Sequence, residues 1–452
     1  MFTYIRLKNF MSFREVVFDL RNGYKGAKNF VAVYGENGSG KSNFVYSINL
    51  LRQSIDSFRL SANMEELKEN ISEKELSELS KRLMEKFMCA VDILRMVDSC
   101  RMTECDEETR IEYGFQIDGH EGYYIISFAD RFVYEKLYYF TGKQRGTLFE
   151  IKITDGKIMP DFSNKLFADS KVEEEIRDEI DKFWGKHTFL SILNKERDEK
   201  NEEYIKAKYL SYAFDILDML ERTTVYYKKT SSFASGVQAN EPENILAGLD
   251  QGKTQLANES TLDRTENILK DFFTQAYADI KDVFYEREYQ GKDVIYKLYL
   301  KKMIGGKIRT IGFEDESAGT QHVLEIVRSL LGAFCGVTVV YDEIDNGIHD
   351  LLLKNIMESM KDDITGQLII TTHNTYLLES MDIKSVYLIT VDYQGDKEVK
   401  CLDQYPRIQG TNNPRVMYLK GLFGGVPSAE PLDYDMIVNE LQSDGLDKEG
   451  GD

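Results

Sequence analysis

The chain has 452 residues, of which 42% are hydrophobic and 30% charged, and its formal net charge is −20 at pH 7. This length exceeds what one hydrophobic core normally serves, so we expect two lobes. The acidic balance argues against a surface that coats nucleic acid, and the lack of 18 consecutive apolar residues argues against a membrane span. Because the first residues predict a strand rather than an export signal, we expect a cytoplasmic protein.

Residues 1–53 predict two strands, then a third strand, a glycine-rich loop and a helix, which we interpret as one edge of a nucleotide-binding core. The third strand covers residues 30–34, and apolar residues at helical spacing run from Phe44 to Ile55. Between them, residues 35–42 match the phosphate-binding pattern G-x-x-x-x-G-K-[ST]. Since the pattern stands between a strand and a helix, it predicts binding of a nucleoside triphosphate.

Each residue type in this loop suits phosphate binding. Glycines let the backbone aim its N–H groups at the phosphates, Lys41 adds a positive charge, and Ser42 offers a hydroxyl to Mg²⁺. The predicted nucleotide-binding residues are Gly35, Asn37, Gly38, Ser39, Gly40, Lys41, Ser42 and Asn43.

The middle of the chain alternates between helical and strand patterns. Residues 54–110 predict a charged helical insertion, and residues 111–155 predict an antiparallel β-meander because their apolar side chains alternate. Residues 156–290 predict a helical lobe, including an amphipathic helix over Asp263–Phe284. Within this lobe, residues 230–252 are rich in Ser, Gly, Asn and Gln and predict a mobile loop.

Residues 291–427 predict the second part of the core, followed by an acidic tail over 428–452. A hairpin is expected over residues 294–311, turning at Gly305-Gly306. A helix then starts at the small residues within 316–321, whose free N–H groups suit either an anion or an ordinary helix cap.

Two predicted strands in this part end in polar residues. The strand over 337–341 ends at Asp342 and Glu343, and the strand over 367–372 ends at His373. Adjacent carboxylates at a strand tip can place one acid on Mg²⁺ and the next on the attacking water. We therefore expect Asp342 to bind Mg²⁺, Glu343 to act as general base and His373 to hydrogen-bond a γ-phosphate.

The order of these motifs resembles the ABC-type ATPase head of the SMC, RecF and OLD proteins. In the terms of that family, residues 35–42 look like Walker A, Ser317, Gly319 and Thr320 like part of the signature motif, Asp342 and Glu343 like Walker B, Asp345 like the D-loop, and His373 like the switch histidine. The resemblance implies an α/β P-loop NTPase with a mixed sheet, an antiparallel β-meander and a helical insertion lobe.

The resemblance also implies ATP and Mg²⁺ as ligands and hydrolysis of ATP to ADP and phosphate. Its catalytic residues would be Lys41, Glu343 and His373. In this family the signature residues contact the γ-phosphate held by a second subunit. The resemblance therefore implies a homodimer, or a higher homo-oligomer, with ATP at the interface.

More narrowly, the chain is similar to stand-alone bacterial AAA-family ATPases related to OLD, RloA and the AbiLi abortive-infection proteins, and to the ATPase of PARIS phage defence. Residues 7–13, 345–349, 372–375 and 418–427 carry this similarity. It implies a sensor in antiphage defence that works with a separate effector protein such as a nuclease or toxin. The stretch after His373 is too short for the nuclease domain of OLD proteins, so we expect the effector on another chain.

Three points stay open on the sequence alone. A RecF- or SMC-like DNA-repair ATPase is one alternative, although DNA is not favoured as a partner, and a nucleotide-gated scaffold with negligible turnover is another. The glutamine that would correspond to the family's Q-loop is either Gln116 or Gln144. The basic residues that DNA would need are Lys228, Lys229, Lys301, Lys302, Lys307 and Arg309.

Overall fold

The structure is a computed structural model that describes residues 1–23, 26–62, 92–140, 144–227, 246, 248–405, 413–426 and 434–443. Part of the predicted helical insertion lies outside these residues, as do most of the predicted mobile loop and most of the predicted acidic tail.

The described chain contains runs of consecutive strands and runs of consecutive helices. The strands are β1 (Phe2–Phe10), β2 (Phe13–Asp19), β3 (Phe30–Gly35), β4 (Thr109–Ile117), β5 (His120–Phe128), β6 (Phe132–Phe140), β7 (Arg145–Thr154), β8 (Lys157–Phe162), β9 (Thr224–Tyr226), β10 (Gln251–Gln255), β11 (Ile280–Gln290), β12 (Asp293–Ile304), β13 (Lys307–Gly312), β14 (Thr338–Tyr341), β15 (Gln367–Thr371), β16 (Val386–Val391) and β17 (Lys397–Cys401). The helices are α1 (Lys41–Ile55), α2 (Ile93–Ser99), α3 (Ser170–Phe183), α4 (Phe189–Glu199), α5 (Glu202–Lys208), α6 (Ser211–Glu221), α7 (Glu259–Ala276), α8 (Ala318–Phe334), α9 (Asp350–Met360), α10 (Pro414–Leu419) and α11 (Tyr434–Ser443).

A six-stranded sheet in the order β17-β16-β3-β15-β14-β9 carries the predicted site. Its strands pair in parallel, except that β17 pairs antiparallel with β16. Strands β3, β14 and β15 are buried along their whole length, as expected when both faces of a parallel sheet are covered. Because parallel strands end at the same edge, the polar residues after β3, β14 and β15 meet there.

Two hydrophobic clusters cover the two faces of this sheet. Along β3, Val31 and Val33 belong to the cluster that also contains α1 and the antiparallel sheet. Ala32 and Tyr34 belong to the other cluster, which contains α7, α8 and strands β11 and β12. Adjacent residues of one strand therefore serve different cores, since their side chains point to opposite faces.

A seven-stranded antiparallel sheet in the order β2-β1-β4-β5-β6-β7-β8 contains the predicted meander and extends it at both ends. The sequence places the first two strands at an edge of the nucleotide-binding core, but in the structure β1 pairs with β2 and β4 instead of with β3. The sequence also predicts helix directly after residue 155, where the structure has β8. This edge strand contains Pro160 and has no fully buried residue; only Ile158, Pro160 and Phe162 alternate as partly buried positions, so its sequence signal is short and weak.

The predicted helix over Asp263–Phe284 is wrong at its carboxyl end. Helix α7 ends at Ala276, Tyr277 is already extended, and Ile280 and Phe284 lie in β11. Two residues four positions apart fit the helical period and the strand period equally well. The β-branched and aromatic residues after position 279 then favour the strand.

The predicted hairpin is confirmed, because β12 and β13 pair antiparallel around Gly305-Gly306.

The buried carboxylate of Glu135 joins the antiparallel sheet to the helical lobe. It accepts hydrogen bonds from the Tyr124 hydroxyl at 2.8 Å, Trp184 Nε1 at 2.8 Å and two backbone N–H groups at the start of α4. The donors compensate the cost of burying this acid, which is fully shielded from solvent.

The predicted fold class is confirmed: a P-loop α/β protein with a mixed sheet and an antiparallel β-meander. The division of the chain into six segments stays a prediction. Among the described helices, none is long and apolar enough to cross a membrane.

Candidate active site

The phosphate loop connects β3 to α1 and is held in a conformation that needs glycine. Gly40 has φ +109°, and a Cβ at this position would lie 2.7 Å from Cζ of Phe13. Inside the loop, Ser39 is fully buried and its Oγ has no hydrogen-bond partner among the described residues. A buried polar group without a partner is costly, so the loop fits a ligand that supplies oxygen atoms, as a phosphate does.

Lys41, the first residue of α1, points back over this loop. Its Nζ donates hydrogen bonds to the carbonyl oxygens of Gly35 at 2.9 Å and Glu36 at 3.1 Å, and the residue is only 5% exposed. Burial lowers the pKa of Lys41, while the carboxylates of Asp342, Glu343 and Asp345 act in the opposite direction. The structure therefore brings the predicted phosphate-binding cation close to the acids that follow β14.

Asp342 lies buried at the tip of β14, where two hydroxyls hydrogen-bond to it. Thr371 Oγ1 donates to Asp342 Oδ1 at 2.6 Å, and the Ser42 hydroxyl forms a second hydrogen bond with this carboxylate. Burial raises the pKa of Asp342, and both hydroxyls lower it. A carboxylate beside a serine hydroxyl supplies the oxygen ligands that Mg²⁺ prefers, so Ser42 and Asp342 fit the predicted metal.

Glu343 follows with an exposed side chain and a left-handed backbone at φ +51°. Its N–H donates to Thr371 Oγ1 at 2.8 Å, so one hydroxyl contacts both acidic residues of the pair. No sequence motif of the chain contains Thr371. The parallel register that pairs Tyr341 with Ile370 places it directly beside Asp342, and only that register reveals the contact.

Asp345 and His373 also meet at this edge. The backbone N–H of His373 donates to Asp345 Oδ2 at 3.0 Å, and Asp345 Oδ1 is buried with no partner within the described ranges. Burial and then the charge of Lys41 lower the pKa of His373. The lowered pKa favours the neutral imidazole at neutral pH, and the residue keeps an exposed surface beside the loop.

The predicted signature residues lie at the start of α8. Ser317 Oγ caps this helix by accepting from the Thr320 N–H at 3.2 Å. A Cβ on Gly319 would lie 2.6 Å from the carbonyl oxygen of Gly347, so the helix start packs closely on the loop that follows Glu343. In the part of the chain that the structure describes, no hydrogen bond joins Ser317, Gly319 or Thr320 to the phosphate loop.

The tip of the phosphate loop contacts a residue that belongs to none of the sequence motifs. Asn37 and Gly38 are exposed there, and Asn43 in the first turn of α1 donates to Ser12 Oγ at 2.6 Å. Lys397, at the start of β17, donates to the same Ser12 hydroxyl and to the carbonyl oxygen of Gly38. No sequence pattern marks Lys397, because only the pairing of β17 with β16 brings it to the loop.

Residues 128–379 match the model of an AAA domain family whose description names an AbiEii toxin and a type IV TA system. The matched stretch contains the candidate signature, Walker B, D-loop and histidine residues, and the phosphate loop precedes it. No curated protein matches the chain.

Among solved structures, the chain is similar to the SMC head domain from Thermotoga maritima, with 13% identity, 88% of this chain and 98% of that chain covered, and a TM-score of 0.36. It is also similar to an Smc head domain with an extended coiled coil bound to the C-terminal domain of ScpA, from Pyrococcus furiosus. That likeness has 14% identity, covers 88% of this chain and 95% of that chain, and has a TM-score of 0.36.

Proposed function

The chain belongs to the AAA domain family that its residues 128–379 match, and from this premise we propose that it is an ATPase that hydrolyses ATP to ADP and phosphate. One observation carries the proposal. The phosphate loop, with Lys41, lies at the same edge of the sheet as the acidic pair Asp342 and Glu343. There the Ser42 hydroxyl hydrogen-bonds to Asp342.

In this proposal the loop N–H groups and Lys41 bind the β- and γ-phosphates of ATP. Ser42 and Asp342 would hold Mg²⁺, which when bound neutralises phosphate charge. The Glu343 carboxylate takes a proton from a water whose oxygen bonds to the γ-phosphorus, as the bond from that phosphorus to the β–γ bridging oxygen breaks. The neutral imidazole of His373 hydrogen-bonds the γ-phosphate, and Asp345 positions the backbone of His373.

We further propose that ATP is bound between two copies of the chain. The capped start of α8 exposes Ser317 and Ala318, yet no described hydrogen bond connects it with the phosphate loop of the same chain. A second subunit would bring such a helix start, which favours anions, to the γ-phosphate.

The biological role that we propose is antiphage defence with a separate effector protein, and the family resemblance is its support. DNA binding remains the less favoured alternative, because two of the candidate basic residues are already paired with acids. Lys301 lies 2.8 Å from Asp282, and Lys302 lies 2.9 Å from Glu316. Their charges are therefore largely neutralised within the chain.

The test compares ATP hydrolysis and light-scattering mass for wild type and Glu343→Gln, each with and without ATP and Mg²⁺. We expect the variant to lose turnover by about 100-fold or more, because the general base is gone, and to accumulate as an ATP-bound dimer. Glu358→Gln, an exposed change on α9, is the matched control and should hydrolyse ATP at the wild-type rate. A Glu343→Gln protein with undiminished turnover would contradict the assigned base.

A further inference from the structure

Lys397 joins three elements around the phosphate loop. Its Nζ donates to the Ser12 hydroxyl in the turn between β1 and β2, and to the carbonyl oxygen of Gly38 at 3.1 Å. It also lies 5.4 Å from the centre of the Phe13 ring, the ring against which Gly40 packs. The ammonium group is thus fixed beside the exposed tip of the loop.

No acid compensates this charge within the described part of the chain. The neighbouring Asp396 pairs with Arg14 at 3.2 Å instead. Burial alone lowers the pKa of Lys397, with no opposing carboxylate. By contrast Lys400, on the same strand, pairs with Glu398 at 2.7 Å.

A half-buried cation without a counter-charge is unfavourable, and the fold retains it at the loop that binds phosphate. An anion held by that loop would supply the missing counter-charge. Since Gly38 belongs to the loop itself, the phosphates of a nucleotide lie closer to this position than its base does.

We propose that Lys397 is a further nucleotide-binding residue, which adds a positive charge to the polyphosphate site from β17. The residue selects for the charge of a nucleoside di- or triphosphate and not for the identity of its base. This inference rests on the proposed ATP binding and adds a residue that the phosphate-loop pattern does not contain.

Calorimetric titration with ATP, ADP and inorganic tripolyphosphate tests the inference at low and high salt. In Lys397→Met we expect all three to bind about tenfold or more weakly, because a charge-assisted contact is lost. The salt dependence of binding should also become shallower, since one fewer cation interacts with the anion. Lys397→Arg should restore binding to within about threefold of wild type, because the charge returns.

Lys400→Met is the matched control, a partly exposed lysine on the same strand, and should leave all affinities unchanged. Lys397→Met that binds ATP as tightly as wild type would overturn the inference and leave the proposed ATPase standing. Equal weakening by Met and Arg, with an unchanged salt dependence, would also overturn it, because the lysine would then serve only to hold the loop. Failure of the wild type to bind any of the three ligands would instead refute the proposed function.

Discussion

The hydroxyl of Thr371 is shared between the two acidic residues of the candidate site. It donates to Asp342 Oδ1 and accepts from the Glu343 N–H, so it fixes the carboxylate proposed to bind Mg²⁺ and the backbone of the proposed base together. Glu343 has a left-handed backbone, which this hydrogen bond stabilises. We therefore regard Thr371 as a positioning residue that does not itself contact ATP.

Replacing Thr371 with valine should lower kcat by about tenfold or more with a smaller change in KM, because substrate binding is retained while the base moves. It should also cost about 1–3 kcal/mol of unfolding free energy, since a buried carboxylate oxygen and an N–H lose their partner. Steady-state kinetics and urea unfolding measure the two effects. Thr371→Ser keeps the hydroxyl and should recover kcat; a valine variant with wild-type kcat would exclude the positioning role.

At the scale of single residues, the sequence predicts a chemical role only where the residues that share that role are contiguous in the chain. The loop from Gly35 to Ser42 and the pair Asp342 and Glu343 are each one short run with a recognisable pattern, and the structure brings them together. Thr371 and Lys397 carry no pattern of their own. Their partners lie 29 and 385 positions away in the chain, so their contacts depend on strand pairing.

At the scale of secondary-structure elements, His187 connects the helical lobe to the segment that follows α1 through a hydrogen bond and a ring contact. It lies in the connection between α3 and α4, where its Nδ1 is 2.9 Å from Ser57 Oγ and its ring stacks on Phe58 at 4.0 Å. The residue is 2% exposed. Burial, with a smaller effect of Lys186, lowers the pKa of His187 to about 4.

This lowered pKa predicts a loss of stability in acid. As pH falls below the ordinary histidine pKa of 6.5, the unfolded chain binds the proton before the folded chain does. Stability that is fully present above pH 6.5 is therefore lost progressively toward pH 4, by about 2 kcal/mol between pH 7.5 and pH 5.

Urea unfolding at pH 7.5 and pH 5 measures this change in wild type, His187→Gln and the exposed control His120→Gln. The His187 variant should lose about 2 kcal/mol less than wild type between the two pH values, whatever its stability at pH 7.5, because glutamine does not titrate. The His120 variant should follow wild type. An identical pH dependence in all three proteins would assign the acid sensitivity to other groups.

The existence of most elements could be predicted from the sequence, but the ends and partners of several could not. The helix expected over Asp263–Phe284 is present as α7, yet it stops eight residues early because Ile280 and Phe284 fit both periods and join β11. The strands β1 and β2 are also present, but pair within the antiparallel sheet. The periodicity of apolar residues identifies which face of an element is buried, but it does not identify the element against which that face packs.

At the scale of the whole molecule, a shared site between two subunits predicts that inactive variants complement each other. Lys41→Ala removes the proposed phosphate-binding cation, and Ser317→Arg blocks the start of α8. Each alone should be inactive. A heterodimer of the two keeps one intact site, composed of Lys41 from one copy and Ser317 from the other.

An equimolar mixture should therefore recover about a quarter of the wild-type turnover, because half of the dimers are mixed and each mixed dimer has one intact site of two. ATP hydrolysis before and after subunit exchange measures the recovery. Control mixtures of each variant with itself should stay inactive. If the mixture of both variants stays inactive although the wild type is active, the site is complete within one chain.

By itself, the sequence determined the phosphate loop, the acidic pair at a strand tip and the fold class, because each depends on neighbouring residues or on the local period of apolar side chains. Only the tertiary structure decided which sheet receives β1 and β2, that Thr371 joins the acidic pair, that Gly319 packs on Gly347 and that Lys397 reaches the loop. These contacts join residues that are distant in the chain. Strand register, together with the packing of two cores against one sheet, brings those residues next to each other.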